Sequence, residues 1–253
     1  MATEIWRGPS QLDGVTDIVV LISGGSTNGK TGGQLQTWVL RTDMRPSEAI
    51  KQDADRPICG NCIHRKERSC YVLTFRGADQ AYDSWIRNPR RMPQGYTLRA
   101  SIRFGAYGDW AAAPYEVAEG LLPTTFNDTG FTAQWRECDQ RYKNLLMASV
   151  SSKAEAREAQ AMGWRTYRTT QKDWDRAEGE VLCPGSKEAG EKLTCAQCGY
   201  CNGNAKGYRG NVVIPVHGAK WKQQRFEKAA AFKQPQVPVE TMGNQNEARI
   251  TWL

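Results

Sequence analysis

The sequence predicts an α/β fold, a partial or small (β/α) barrel carrying cysteine-rich metal-binding loops. Three observations predict it. From residue 97 onward, short apolar segments alternate with helix-patterned ones, the pattern of parallel strands joined by crossovers. The eight cysteines gather mainly in two loops of the 253-residue chain. One of those loops follows directly on a predicted strand, and strand ends are where barrels place their working groups. The boundaries expected are an irregular lead-in over 1–16, a single α/β domain over 17–218 with metal loops at 57–71 and 183–203, and a basic helix with a mobile tail over 219–253.

Asp17 to Ile22 is an unbroken apolar run and reads as a buried strand. It enters Ser23-Gly24-Gly25-Ser26-Thr27-Asn28-Gly29-Lys30-Thr31, which satisfies the P-loop expression G-x4-G-K-[ST] from Gly24 to Thr31. A phosphate-cradling loop needs a helix to start at its lysine. Here Gly32 and Gly33 occupy the first turn, and Leu35 to Leu40 is β-branched and aromatic, so the prediction is a glycine-rich hairpin with a second strand.

Cys59, Cys62 and Cys70 then form a C-x2-C-x7-C loop rich in charge. Three thiols leave a fourth ligand position for His64, Cys138 or an exogenous group. A small zinc knuckle stiffening the loop is the equal alternative.

The β/α series begins with a strand over 97–104 that ends at Gly105-Ala106-Tyr107-Gly108-Asp109, followed by a helix from Ala111 to Leu122 with Pro114 in its first turn. A short strand over 130–135, a helical piece over 139–143 and a further apolar segment over 144–150 come next. Ser152-Lys153-Ala154-Glu155 is a capping box opening a helix that Gly163 closes. A strand over 164–168 and a helix over 171–178 lead to Glu180-Val181-Leu182, which delivers Cys183. Asn211 to Gly218 is the last strand, and 219–233 a basic amphipathic helix with docking aromatics. The polar strand-end residues Asp109, Gln134, Ser149, Arg168 and His217 are candidates for the site. Each also has a plain role: Asp109 as a helix cap, Ser149 as a turn starter, His217 as a satisfied interior side chain.

Cys183, followed by Pro184, and the C-x2-C-x2-C run Cys195, Cys198, Cys201 carry the most specific signal. Three thiolates on one tight turn with a remote Cys-Pro suit the corners of a 4Fe-4S cubane. Zinc is the alternative, although structural zinc sites more often come as two separated C-x2-C pairs, and disulfides or free thiols come third. No apolar run reaches membrane-spanning length and residues 1–6 lack a charged-then-apolar leader. The expectation is therefore a cytoplasmic protein with reduced thiols and no membrane partner. The net charge of +7 admits nucleic acid or a host protein as a partner through a basic surface.

Two resemblances extend this reading. Gly105-x2-Gly108-Asp109 with Ala111-Ala112-Ala113-Pro114, Ala148 to Ser152, Gly163 to Arg168, the second cysteine loop and His217-Gly218 resemble a group of tailed-phage and prophage cysteine-cluster proteins of no established activity. That resemblance implies a bacteriophage origin and the cytoplasm of an infected host cell. The chain also looks like radical S-adenosylmethionine enzymes, which combine a partial TIM-barrel-like scaffold with a three-cysteine cluster and often an auxiliary one. This implies Cys59, Cys62 and Cys70 in the first role, Cys183, Cys195, Cys198 and Cys201 in the second, and Gly105, Gly108 and Asp109 near the methionine amino group of S-adenosylmethionine. The family pattern is C-x3-C-x2-C, and this chain differs from it.

The function expected is that of a phage-derived 4Fe-4S protein with a redox, structural or radical-enzyme role, in which His217, Gly105, Gly108 and Asp109 line a cofactor. The alternatives are a zinc-stapled nucleic-acid-binding or host-interaction protein using Arg65 to Arg68, Arg87 to Arg91 and the C-terminal helix, and then a P-loop nucleotide hydrolase.

Overall fold

A computed structural model describes residues 1–25, 28–66, 69–93, 95, 96, 98–121, 127–171, 175–190, 193–204, 207, 210–217 and 219–232. The helix expected over 171–178 falls partly outside them and is not formed over 175–178. Gly218, the end of the helix expected over 111–122 and the C-terminal tail also lie outside the described residues.

The strands are β1 (Ala2–Pro9), β2 (Asp17–Gly25), β3 (Leu35–Arg41), β4 (Ile102–Tyr107), β5 (Thr129–Thr132), β6 (Met147–Val150), β7 (Thr166–Thr170), β8 (Glu180–Leu182) and β9 (Asn211–Pro215). They form one nine-stranded sheet in the order β1-β2-β3-β4-β5-β6-β7-β9-β8. β1, β2 and β3 pair antiparallel, and every later pairing is parallel. The helices are α1 (Pro46–Lys51), α2 (Arg56–Cys59), α3 (Ile63–Lys66), α4 (Ala78–Arg87), α5 (Tyr115–Glu119), α6 (Lys153–Ala161), α7 (Cys195–Cys198) and α8 (Lys220–Phe232). The mixed α/β class and the parallel series are as the alternation predicts.

The hairpin reading holds. Residues 29–31 make only a 3-10 turn, and β3 runs antiparallel to β2 with Leu21 opposite Trp38. No α-helix starts at Lys30, so the phosphate-cradling context is missing.

Four expectations are corrected. The lead-in over 1–16 contains β1, an edge strand paired with β2 from Ala2 to Pro9; its half-buried, mixed composition hides the alternation. β4 lies at 102–107 rather than 97–104, and Gly105 sits inside it with φ +68. The helix over 111–122 is split: a 3-10 turn covers 110–112, Ala113 is extended at φ −103, ψ 161, and Pro114 precedes α5. The cause is steric, since proline disfavours helical backbone in the residue before it. Finally, β5 and β7 fall at 129–132 and 166–170 rather than 130–135 and 164–168.

Successive side chains on a strand point to opposite faces, and β6 shows what this does here. Ala148 and Val150 join the main core, whereas Met147 belongs to a second, smaller cluster with Cys183, Val212 and Ile214. Phe131, Tyr167, Tyr200 and Cys201 pack on that second cluster. The second cysteine loop is thus bedded on the sheet face opposite the main core.

Candidate functional site: two groups of thiols

The first group, Cys59, Cys62 and Cys70, is carried by two one-turn helices. α2 ends in Gly60, whose φ of +52 turns the chain back, and a Cβ there would lie 2.3 Å from Gln134 Oε1. Only glycine leaves room for what Gln134 does: its Oε1 accepts from the Asn61 amide at 3.0 Å and its Nε2 donates to the Cys59 carbonyl at 3.1 Å. The Asp109 amide donates to the Ile58 carbonyl at 2.7 Å. Both anchors come from residues just beyond β4 and β5, so this group sits at the C-terminal ends of the parallel strands.

All three thiols are shifted upward. Burial is the largest cause for each; for Cys59 the next is the field of Cys62, and for Cys62, pushed up to about 12, it is that of Cys70. The thiols therefore stand within mutual electrostatic reach. Tyr107 Oη is buried and has no hydrogen-bond partner among the described residues, and its phenol is pushed up by burial and then by Cys59, with Asp55 and Cys70 adding to it. α8 packs over the loop that carries Cys62 and Cys70: the His64 ring stacks on Phe226 with centroids 5.5 Å apart, and Lys222 Nζ donates to the Cys70 carbonyl at 2.8 Å. His64 Nδ1 lies 2.9 Å from Ser69 Oγ. Cys138 draws its shift from burial and then from Asp109 and Asp139.

The second group begins at Cys183, whose amide extends the ladder to Val213 O at 2.9 Å. Cys195 and Cys198 open and close α7, a single turn fixed by a reciprocal capping box between Thr194 and Gln197. Residues three apart on a helix share a side, so the C-x2-C spacing brings these two thiols to one edge. Cys201 is raised by burial first and then by the fields of Cys183, Cys195 and Cys198.

Arg165, 1% exposed, holds the loop in place: its Nη1 donates to the Gly203 carbonyl at 2.7 Å and its Nε to the Gly210 carbonyl at 2.9 Å. The Gly130 amide donates to the Cys201 carbonyl at 3.0 Å, and Asn127 Nδ2 to the Ala196 carbonyl at 2.9 Å. These contacts lie at the N-terminal ends of β5 and β7. The second group is therefore anchored at the ends of the strands opposite those that anchor the first. β8 has only three residues, so the chain after Cys183 runs back along the strands and puts Cys195 to Cys201 at the opposite end.

Asn202, next to Cys201 in the chain, is 4% exposed and its Nδ2 has no hydrogen-bond partner among the described residues. Its Oδ1 lies 3.4 Å from Arg165 Nη1, and a guanidinium only donates, so the amide orientation is fixed by its neighbour. Each thiol group is thus accompanied by a buried donor that lacks a partner among the described residues. Arg103, on β4, acts on a thiol of each: it lowers both Cys70 and Cys195, against the larger effect of burial, and Lys30 also lowers Cys195. Neither Arg103 nor Tyr107 announces itself in the sequence, because each is an ordinary strand residue whose meaning comes from what the loops bring beside it.

The remaining candidates separate from these groups. Asp109 is buried and fully used: Oδ1 accepts from the Ala111 amide at 3.0 Å, and Oδ2 from the Ala133 amide at 2.8 Å and Thr132 Oγ1 at 3.1 Å. Its cap role is the one the geometry displays. Gly108, with φ +78, lets β4 approach β3, since a Cβ would lie 2.3 Å from the Val39 carbonyl oxygen. Gly105 donates its amide to Thr37 Oγ1 at 3.0 Å. Arg168 is buried in an ion pair with Glu180. His217 is exposed, 3.0 Å from Pro215 O through Nδ1, and so is not an interior side chain. Ser149 lines a small crevice with Cys62, His64 and Glu155.

Among the described residues, no group of three or more Cys, His, Asp or Glu side chains is posed around one point to hold a metal ion, and all eight cysteines are free of disulfides. No described helix is long and apolar enough to cross a membrane. No family model, curated protein or solved structure matches the chain.

Proposed function

We propose that this chain is an iron–sulfur protein in which Cys183, Cys195, Cys198 and Cys201 hold a 4Fe-4S cluster on an α/β scaffold curved as a partial barrel, with Cys59, Cys62 and Cys70 as a second, three-thiol cluster site. The observation that carries the reading is that, at each group, thiols within electrostatic reach of one another lie with a buried donor that has no hydrogen-bond partner among the described residues. Hydrogen bonds to cluster sulfurs are a recognised means of setting potential, and Tyr107 Oη and Asn202 Nδ2 supply such donors. Arg103 and Lys30 beside Cys195 favour the net negative charge of a thiolate-ligated cluster.

Zinc is the weaker alternative. Structural zinc sites more often come as two separated C-x2-C pairs, whereas the C-x2-C-x2-C run with a remote Cys-Pro suits a cubane. The nucleic-acid reading loses part of its footing because Arg65 is buried, 2.8 Å from Asp55 and 3.0 Å from Asp53, and unavailable to phosphate.

The test is iron, zinc and acid-labile sulfide analysis of protein purified without oxygen. About four irons and four sulfides per occupied group are expected, with Cys198→Ala removing the second group's share while leaving the first. A colourless protein carrying zinc and no sulfide sinks the proposal.

A further inference from the structure

A cleft of about 730 Å³ opens beside β2, β3 and β4, lined in part by Gly24, Gly25, Trp38, Tyr71, Arg76 and Arg103. We propose that it binds a phosphorylated small molecule of mononucleotide size. Three features carry this. The volume falls in the range of small-molecule sites. Among the described residues the lining contains two arginines and no aspartate or glutamate, a balance of charge that attracts an anion.

The third feature is that the two guanidinium groups are paired with neutral rings and with no carboxylate among the described residues. Arg103 Nη2 donates to Tyr71 Oη at 2.7 Å, and Arg76 stands 5.6 Å from the Phe75 ring centroid. A planar guanidinium pairs with phosphate in a bidentate fork. Tyr71, 66% exposed at this cleft, offers a ring face against which a base can stack. Gly24 and Gly25 bring the glycine-rich loop to the cleft with no side chain to fill it. Lys30, by contrast, packs on Gly185, with Cε 3.6 Å from the position of a Cβ there. The site is therefore an arginine-lined cleft and not a lysine-centred P-loop.

The inference requires neither thiol group to carry metal, so it stands or falls separately from the iron–sulfur reading. Isothermal titration of the full chain with AMP, adenosine and citrate, in metal-free and reconstituted protein, tests it. AMP is expected to bind both forms, with adenosine and citrate at least roughly tenfold weaker, the cost of losing one charge-assisted pair. Arg76→Gln, on an exposed side chain whose loss leaves the fold intact by circular dichroism, should weaken AMP by about the same factor. Equal affinity for AMP and adenosine overturns the proposal, as does citrate matching AMP, an unaffected Arg76→Gln variant, or no AMP binding at millimolar concentration.

Discussion

Cys138 illustrates what one residue contributes through its surroundings. Its thiol is pushed up to about 12 by burial and then by the carboxylates of Asp109 and Asp139. A folded state that holds a proton more tightly than the unfolded chain gains stability below the unfolded value and loses it as pH rises. The contribution of Cys138 is therefore complete below about pH 9, the ordinary value for a thiol, and disappears as pH climbs toward 12. Cys138→Ala is expected to lower stability at neutral pH through the small cavity it leaves. Its distinguishing effect is on shape: the alkaline limb of the stability curve should become shallower by up to one proton. Denaturation at intervals from pH 7 to 11 measures this, and a parallel displacement of the whole curve would show that Cys138 does not titrate there.

At the scale of elements, β8 matters most because it delivers Cys183. It has three residues and pairs only with β9, too little ladder to fix it alone. Arg168 on β7 supplies the rest, reaching across β9 with Nε and Nη2 each 2.7 Å from the Glu180 carboxylate, both side chains at most 2% exposed. Removing Arg168 leaves the buried Glu180 carboxylate without a cation among the described residues, at about 3–5 kcal/mol, whereas removing Glu180 leaves Arg168 its second partner, Asp175, at 3.1 Å. Arg168→Met should therefore cost that much in urea denaturation and loosen the strand that carries Cys183. The double variant Arg168→Met, Glu180→Leu should recover most of the loss, and a double variant as unstable as the single one would refute this account.

Legibility of the sequence follows the same line. β2, β3 and α6 were readable because apolar runs and the Ser152 cap declare themselves locally; Ser152 Oγ does accept from the Glu155 amide at 3.1 Å. β8 and β9 were readable for the same reason. β1 was not, because an edge strand buried on one side shows no clean alternation. The Arg168–Glu180 pair was not, because it is fixed by the order of strands in the sheet.

Across the whole molecule, the cysteine spacings disclosed which thiols belong together, but not that the groups occupy opposite ends of the parallel strands, nor that Arg103 lies within reach of both. Those relations depend on a loop running back from Cys183 and on a helix distant in sequence. α8 is that helix: its Phe226 is 1% exposed against His64, while Trp221 on the same helix is 50% exposed. The helix thus packs over the loop that carries Cys62 and Cys70, through the Phe226 ring on His64 and Lys222 on the Cys70 carbonyl, with Ala229 also buried. Phe226→Ala removes the ring, a change that costs about 3–5 kcal/mol when a core phenylalanine is truncated. Because α8 meets the first cysteine loop at α3, the loss should appear as local opening there. Maleimide labelling of metal-free protein, mapped by mass spectrometry, should show Cys59, Cys62 and Cys70 reacting faster in the variant while Cys183, Cys195, Cys198 and Cys201 keep their rates. Equal acceleration at all seven thiols would mean that α8 supports the entire fold and does not cover one group.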